Sequence, residues 1–168
     1  MKFLLYSLTG LGAIWLQLTL VMSLGIGGVR PNLVLAVLVV LGLRWMDPWL
    51  FVFGALIGLA MDSFSHGMLG IYAMSYVVVA LVTRYIGASV YENNLVFNLA
   101  GVFMFALLEG IVSLTILNYI DPELGWWMLL FTRVLPGALY TSLLGPPLFI
   151  GLKHLEKYFK ISEPEVQF

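Results

Sequence analysis

Long stretches without charge are the feature that most constrains how this chain can fold. An apolar run of about 20 residues crosses the roughly 30 Å hydrocarbon layer of a bilayer as a helix, which satisfies its own backbone hydrogen bonds. Of the 168 residues, 61% are hydrophobic and only 10% are charged. A soluble domain of this size could not bury that much apolar surface. The sequence therefore predicts an all-α integral membrane protein.

The charged residues divide the chain into six predicted transmembrane helices. Their approximate ranges are 3–24, 30–45, 48–62, 69–83, 95–117 and 126–152. Pro31 suits a first helical position, whereas Pro136 and the Pro146-Pro147 pair predict breaks in the last span. Spans two and three are short, so a re-entrant hairpin over residues 31–62 is an alternative to two full crossings.

The distribution of loop cations predicts the orientation. Short cytoplasmic loops are enriched in Lys and Arg. With six crossings, one side carries Lys2, Arg44, Arg84, Lys153, Lys157 and Lys160, and Arg30 is the loop cation of the other side. Merging spans two and three into a hairpin would move Arg44 outward and weaken this bias. We therefore expect both ends in the cytoplasm, with a single transmembrane domain over residues 1–160 and a short cytoplasmic tail over 161–168.

Several function classes lack the residues they need. There is no cysteine, and His66 and His154 are too far apart in sequence to suggest a metal site. Nothing in the sequence resembles a serine–histidine or serine–lysine nucleophile arrangement, a HExxH zinc-binding helix or a phosphate-binding glycine loop. The net charge of −1, without clustered cations before the tail, argues against a nucleic-acid partner. We expect a protein that is not an enzyme and uses no cofactor.

Two ionisable residues lie clearly inside predicted spans. Such residues are costly in a bilayer, so they are the first candidates for a functional site. Glu109 precedes the outer end of span five by about as many residues as Arg133 follows the outer start of span six. They are thus predicted to lie at the same depth and to pair, directly or through one intermediary. The pair could fix helix packing or form part of a ligand site.

Small residues follow one face of span three. Gly54, Gly58 and Asp62 recur every four residues, a spacing that lets another helix approach closely. This face is a candidate partner interface, although internal packing explains it equally well. Asp62 could accept hydrogen bonds from the loop 63–70 or pair with Arg30 or Arg133.

Polar residues also mark the outer start of span two. Arg30-Pro31-Asn32 places a cation and an amide there, as expected of a helix start whose arginine reaches water. The sequence as a whole predicts an outer-side polar cluster of Arg30, Asn32, Asp62, Glu109 and Arg133.

The block from Arg30 to about Tyr76 resembles the bacterial rod shape-determining protein MreD family. The resemblance is carried by Arg30-Pro31-Asn32, the apolar run 33–43, the Gly54-x-x-x-Gly58-x-x-x-Asp62 face and a loop ending in Gly67-x-x-Gly70. Length, predicted span number and predicted orientation agree with it. The proline breaks of span six are not expected of every member.

The resemblance implies a component of the cell-elongation machinery in the bacterial cytoplasmic membrane. Its implied partner is MreC. Through that complex it would act with the peptidoglycan glycosyltransferase, the penicillin-binding transpeptidase and cytoplasmic MreB. Membrane lipids would surround the protein. It also implies a six-helix bundle similar to the substrate-binding subunits of energy-coupling-factor transporters. The alternative function is therefore a transport subunit that captures a small molecule or lipid from the outside.

Overall fold

The computed structural model of this protein describes residues 2–21, 25, 29–45, 49–65, 69–90, 95–123 and 125–158. Most of these residues are helical, and the fold is all-α. The elements are α1 (Lys2–Leu16) with a π-helical turn (Gln17–Val21), α2 (Leu33–Trp45), α3 (Leu50–Phe64), α4 (Ile71–Val90), α5 (Leu95–Ile120), α6 (Trp126–Leu129) with a second π-helical turn (Leu130–Val134), α7 (Leu135–Ser142) and α8 (Gly145–Tyr158).

Two helical stretches among the described residues are long and apolar enough to cross a membrane. They are Val96–Ile120, with 25 residues, and Trp126–Leu155, with 30 residues. At a rise of about 1.5 Å per residue, both exceed the hydrocarbon thickness of roughly 30 Å. Shorter apolar helices occupy Leu33–Leu43, Leu50–Phe64 and Ile71–Tyr85.

Helix α2 lies at the centre of the bundle. Every residue from Val34 to Leu41 is buried, whereas the equally apolar helices α3 and α5 keep exposed side chains such as Leu56 and Met104. Helices α1, α3, α4, α5, α7 and α8 all contact it. The short apolar run that raised the hairpin alternative is therefore the core of the fold.

Successive helical segments run in opposite directions. The ends of α1, α3 and α5 and the starts of α2 and α4, together with the turn after α6, surround one cavity. At the opposite end, Gly42 of α2 lies against Thr83 of α4, and Gly145 of α8 lies against Val102 of α5. Residues 31–62 form two separate helices, and α3 packs chiefly on α4 rather than on α2.

Three boundaries differ from the sequence-based expectation. Helix α4 continues past residue 83, so Arg84 lies on a helix instead of in a loop. Pro31 precedes α2, whose first residue is Leu33, and is not a first helical position. Pro136 lies in the first turn of α7. Pro136 directly follows a π-helical turn and has helical backbone on both sides, whereas Pro146 and Pro147 lie in the first turn of α8, where a missing N–H leaves no broken hydrogen bond.

Candidate functional site

The cavity at one end of the bundle is the candidate site. Its volume is about 580 Å³, within the range of roughly 300–1,000 Å³ that is common for ligand pockets. Four of the five residues predicted as an outer polar cluster line it, namely Arg30, Asn32, Glu109 and Arg133. Residues far apart in sequence thus meet at one place, as the topology prediction requires.

Asn32 holds the start of α2 in the cavity wall. Its side-chain oxygen Oδ1 accepts a hydrogen bond from the Leu35 amide at 3.0 Å, which is the geometry of an N-cap. The same oxygen accepts from the Tyr76 hydroxyl of α4 at 2.9 Å. The backbone amide of Asn32 donates to Thr141 Oγ1 of α7 at 2.9 Å. Asn32 therefore joins three helices.

Gln17 supports the same segment from the π-helical turn after α1. Its Nε2 donates to the Pro31 carbonyl at 3.0 Å, and its Oε1 accepts from the Leu33 amide at 2.7 Å. The sequence-based prediction missed Gln17, Tyr76 and Thr141. An amide in the middle of the otherwise apolar run 3–24 was the available signal for Gln17, because such a group needs partners in a bilayer.

Arg30 and Arg133 are the two cations of the cavity. Both side chains are exposed, and the aliphatic part of Arg30 extends over Gly25. Among the residues that the structure describes, neither guanidinium has an ion pair or a hydrogen bond. The cavity therefore presents two guanidinium groups that pair with no side chain in the described part of the chain.

Glu109 faces the same cavity from α5 and is partly buried. Its Oε1 accepts a hydrogen bond from Ser113 Oγ at 3.0 Å, one turn further along the helix. Ser113 Oγ also lies 3.0 Å from Ser75 Oγ of α4, which donates to the Ile71 carbonyl at 2.8 Å. A short polar chain thus links α5 to α4.

The predicted pairing of Glu109 with Arg133 is wrong as a direct contact. Their depths do agree, because Gly110 and Val134, the next residues along the chain, are packed against each other. Within the described part of the chain, however, no ion pair joins the two side chains. Glu109 bonds to Ser113 on its own helix, whereas Arg133 is exposed at the cavity.

Asp62 lies behind the cavity and does not line it. Its side chain is 1% exposed and accepts three backbone hydrogen bonds, from Gly70 at 2.9 Å, Tyr72 at 3.0 Å and Ala73 at 3.1 Å. A carboxylate at a helix N-terminus accepts hydrogen bonds from free N–H groups and interacts favourably with the positive end of the helix dipole. The predicted bond from the 63–70 loop is confirmed at Gly70, and the predicted pairing with Arg30 or Arg133 is wrong.

The glycine face of α3 is occupied within the chain. A Cβ atom on Gly58 would lie 2.5 Å from Ala73 Cα, and one on Gly54 would lie 3.1 Å from the Tyr76 carbonyl oxygen. Both glycines and Asp62 are buried. The partner interface predicted at Gly54, Gly58 and Asp62 is thus corrected to internal packing, because α4 already fills that face.

Comparisons with protein families, with curated proteins and with solved structures find no match for this chain. The arrangement of the cavity suits binding: polar and charged groups are held by helix ends, and apolar side chains lie between them. Among the described residues there is no cluster of three or more histidine or acidic side chains suited to a metal ion.

Proposed function

We propose that this chain is a six-span protein of the bacterial cytoplasmic membrane with both ends inside, and a non-catalytic component of the cell-elongation machinery similar to MreD. The alternating helix directions support six crossings. Helices α2 and α3, with 13 and 15 residues, are short for a bilayer. A short transmembrane helix is accommodated when the bilayer thins locally or when flanking side chains reach to the membrane surface.

One observation carries this proposal. The residues on which the resemblance rests form a single connected unit: Asn32 ties the central helix to α4 and α7, the Gly54 and Gly58 face seats α4, and Asp62 caps it. These residues specify how the helices are arranged. Because these residues arrange the helices, a resemblance in them supports a fold similar to that of the proposed family.

MreC is the proposed partner, and the glycosyltransferase, the transpeptidase and MreB would be reached through that complex. Because α4 covers the glycine face, the contact with MreC is proposed for the outer loops. The turn between α5 and α6 is the described candidate, since Asp121, Pro122, Glu123 and Gly125 are all exposed there.

Co-purification from native membranes tests this function. A tagged chain should recover MreC, and the charge reversals Asp121→Lys and Glu123→Lys should reduce that recovery. Arg84→Glu, a charge reversal at the opposite end of the bundle, is the matched control and should leave recovery unchanged. If tagged wild-type chain recovers no MreC under mild detergent, the elongation role is refuted.

The cavity favours a second candidate function, the capture of a small molecule or lipid from the outside. Mass spectrometry of the protein purified from native membranes would distinguish the two functions. A stoichiometric bound compound without MreC would support capture alone. MreC without such a compound would support the scaffold alone.

A further inference from the structure

The cavity carries an excess of positive charge. Arg30 and Arg133 contribute two guanidinium groups, and Glu109 contributes one carboxyl group that is hydrogen-bonded to Ser113. Neither arginine has an ion pair in the described residues. Guanidinium groups bind phosphate and carboxylate through two parallel hydrogen bonds, and this geometry gives strong, selective contacts.

Two π-helical turns border the cavity. The turn Gln17–Val21 contributes Gln17 and Leu18 to its lining, and the turn Leu130–Val134 contributes Arg133 and Val134. Such turns are rare, and they are frequent at functional sites. One of the two turns thus supplies Arg133, and the other supplies Gln17, which holds the segment next to Arg30.

Apolar side chains form the rest of the lining. Leu35, Met61, Phe64, Leu114 and Leu117 all border the same space. A fully hydrated ion would leave these apolar side chains in contact with water, so no free energy would be gained from burying them. An occupant with both an anionic group and an apolar portion would satisfy the arginines and bury this surface.

We propose that the cavity binds an anionic amphiphile, whose phosphate or carboxylate group is held by Arg30 and Arg133 and whose apolar portion lies against the leucines. This inference rests on the six-span orientation proposed above, in which the cavity opens at the outer face of the membrane. A lipid head group and a water-soluble amphiphile share this chemistry.

Native mass spectrometry of the purified full chain tests the proposal. The probes are phosphatidylglycerol, phosphatidylcholine with the same acyl chains, octyl phosphate and inorganic phosphate. Phosphatidylglycerol should bind at least about tenfold more tightly than phosphatidylcholine. Arg30→Gln and Arg133→Gln should each weaken binding about tenfold, and the Lys variants at these positions should weaken it less.

The different effects of changing the acidic residue and the basic residues distinguish anion binding from a purely structural role. Glu109→Gln removes an acidic side chain from the lining, so it should leave anion binding as strong or stronger, while the arginine changes weaken it. Arg84→Gln, an exposed arginine at the other end of the bundle, is the matched control and should change nothing. Elution as a monodisperse species shows that each variant is folded.

The probes also identify the source of the ligand. Binding of phosphatidylglycerol without octyl phosphate indicates a membrane lipid, and competition by octyl phosphate indicates a soluble amphiphile; both support the proposal. Equal binding of the two lipids, or equal losses in Arg84→Gln, would overturn it, as would inorganic phosphate binding as tightly as octyl phosphate. Recovery of MreC is a separate measurement, so either proposal can fail while the other stands.

Discussion

At Gly58 two helix backbones come so close that hydrogen is the largest side chain the position can hold. A methyl group there would meet backbone atoms of Ala73 on α4 at 2.5 and 2.7 Å, and backbone cannot move aside as a flexible side chain can. At Gly54 the corresponding contact is 3.1 Å, which is tight but less severe. The two glycines therefore differ in how much they tolerate.

Gly58→Ala should lower the free energy of unfolding by more than about 2 kcal/mol, because overpacking forces α3 and α4 apart. Gly54→Ala should cost about 1 kcal/mol. Gly12→Ala on α1, where nothing lies within 4 Å, is the control. It should gain roughly 0.5–1 kcal/mol from alanine's helix preference. Thermal unfolding in detergent measures all three, and equal stability of the Gly58 and Gly12 variants would contradict the packing described.

Glu109 and Arg133 should behave as independent residues in a stability measurement. In a double-mutant cycle with Glu109→Gln and Arg133→Gln, the coupling should be below about 0.5 kcal/mol, because no direct ion pair joins them. The cycle of Glu109→Ala with Ser113→Ala is the positive control, since a hydrogen bond of 3.0 Å joins the two native side chains and each change removes it, and its coupling should reach about 1 kcal/mol. A larger coupling for Glu109 with Arg133 than for Glu109 with Ser113 would show that the pair forms.

At the scale of elements, side chains on one helix complete the ends of another. Asp62 of α3 accepts the free N–H groups at the start of α4, and Gln17 bonds to both a carbonyl and an amide at the start of α2. Helix ends leave such groups unsatisfied, and in an apolar surrounding each unsatisfied group is costly. These contacts hold the end of α3 next to the start of α4, and the turn after α1 next to the start of α2.

Asp62→Asn should lower the free energy of unfolding by about 2 kcal/mol, because the amide has one acceptor oxygen for three N–H groups and no charge opposite the helix dipole. Asp121→Asn is the matched control: Asp121 is exposed and accepts one local bond, from the Glu123 amide. It should change stability by less than about 0.5 kcal/mol. Chemical unfolding in mixed micelles gives the comparison, and equal losses in the two variants would refute the capping role.

At the scale of the whole molecule, the alternating directions of the helical segments predict which residues are accessible from which side of the membrane. The chain has no cysteine, so single cysteine variants can be labelled without background. With a membrane-impermeant maleimide, Asp121→Cys should react in intact cells, and His154→Cys should react only after permeabilisation. Labelling of both, or the reverse pattern, would contradict two cytoplasmic ends.

Trp49→Cys separates two full crossings from the hairpin alternative. Trp49 lies between α2 and α3 and is 66% exposed. If both helices cross, this position is cytoplasmic and is protected in intact cells. If residues 31–62 form a re-entrant hairpin that returns to the outer side without crossing, the position does not reach the cytoplasm, and permeabilisation leaves its labelling unchanged.

The parts that sequence could predict are those that depend on one segment at a time. The apolar run 33–43 predicts a helix and the spacing of Gly54, Gly58 and Asp62 predicts a close helix contact, because both patterns repeat with the period of a single helix. The start of a helix at Arg30-Pro31-Asn32 follows from local capping chemistry. The clustering of Arg30, Asn32, Glu109 and Arg133 was also within reach, since it follows once the directions of the spans are assumed.

What the sequence determined by itself was the all-α class and the approximate ranges of the helices, with boundaries that differ by a few residues. Only the tertiary structure decided that α2 is central, that α4 rather than a partner covers the glycine face, and that Glu109 bonds to Ser113 instead of Arg133. The physical reason is that apolarity places a helix in a bilayer without choosing its neighbours, since lipid is as apolar as leucine. Neighbours are chosen by shape and by hydrogen bonds between distant segments, and no single segment of the sequence contains both halves of such a contact.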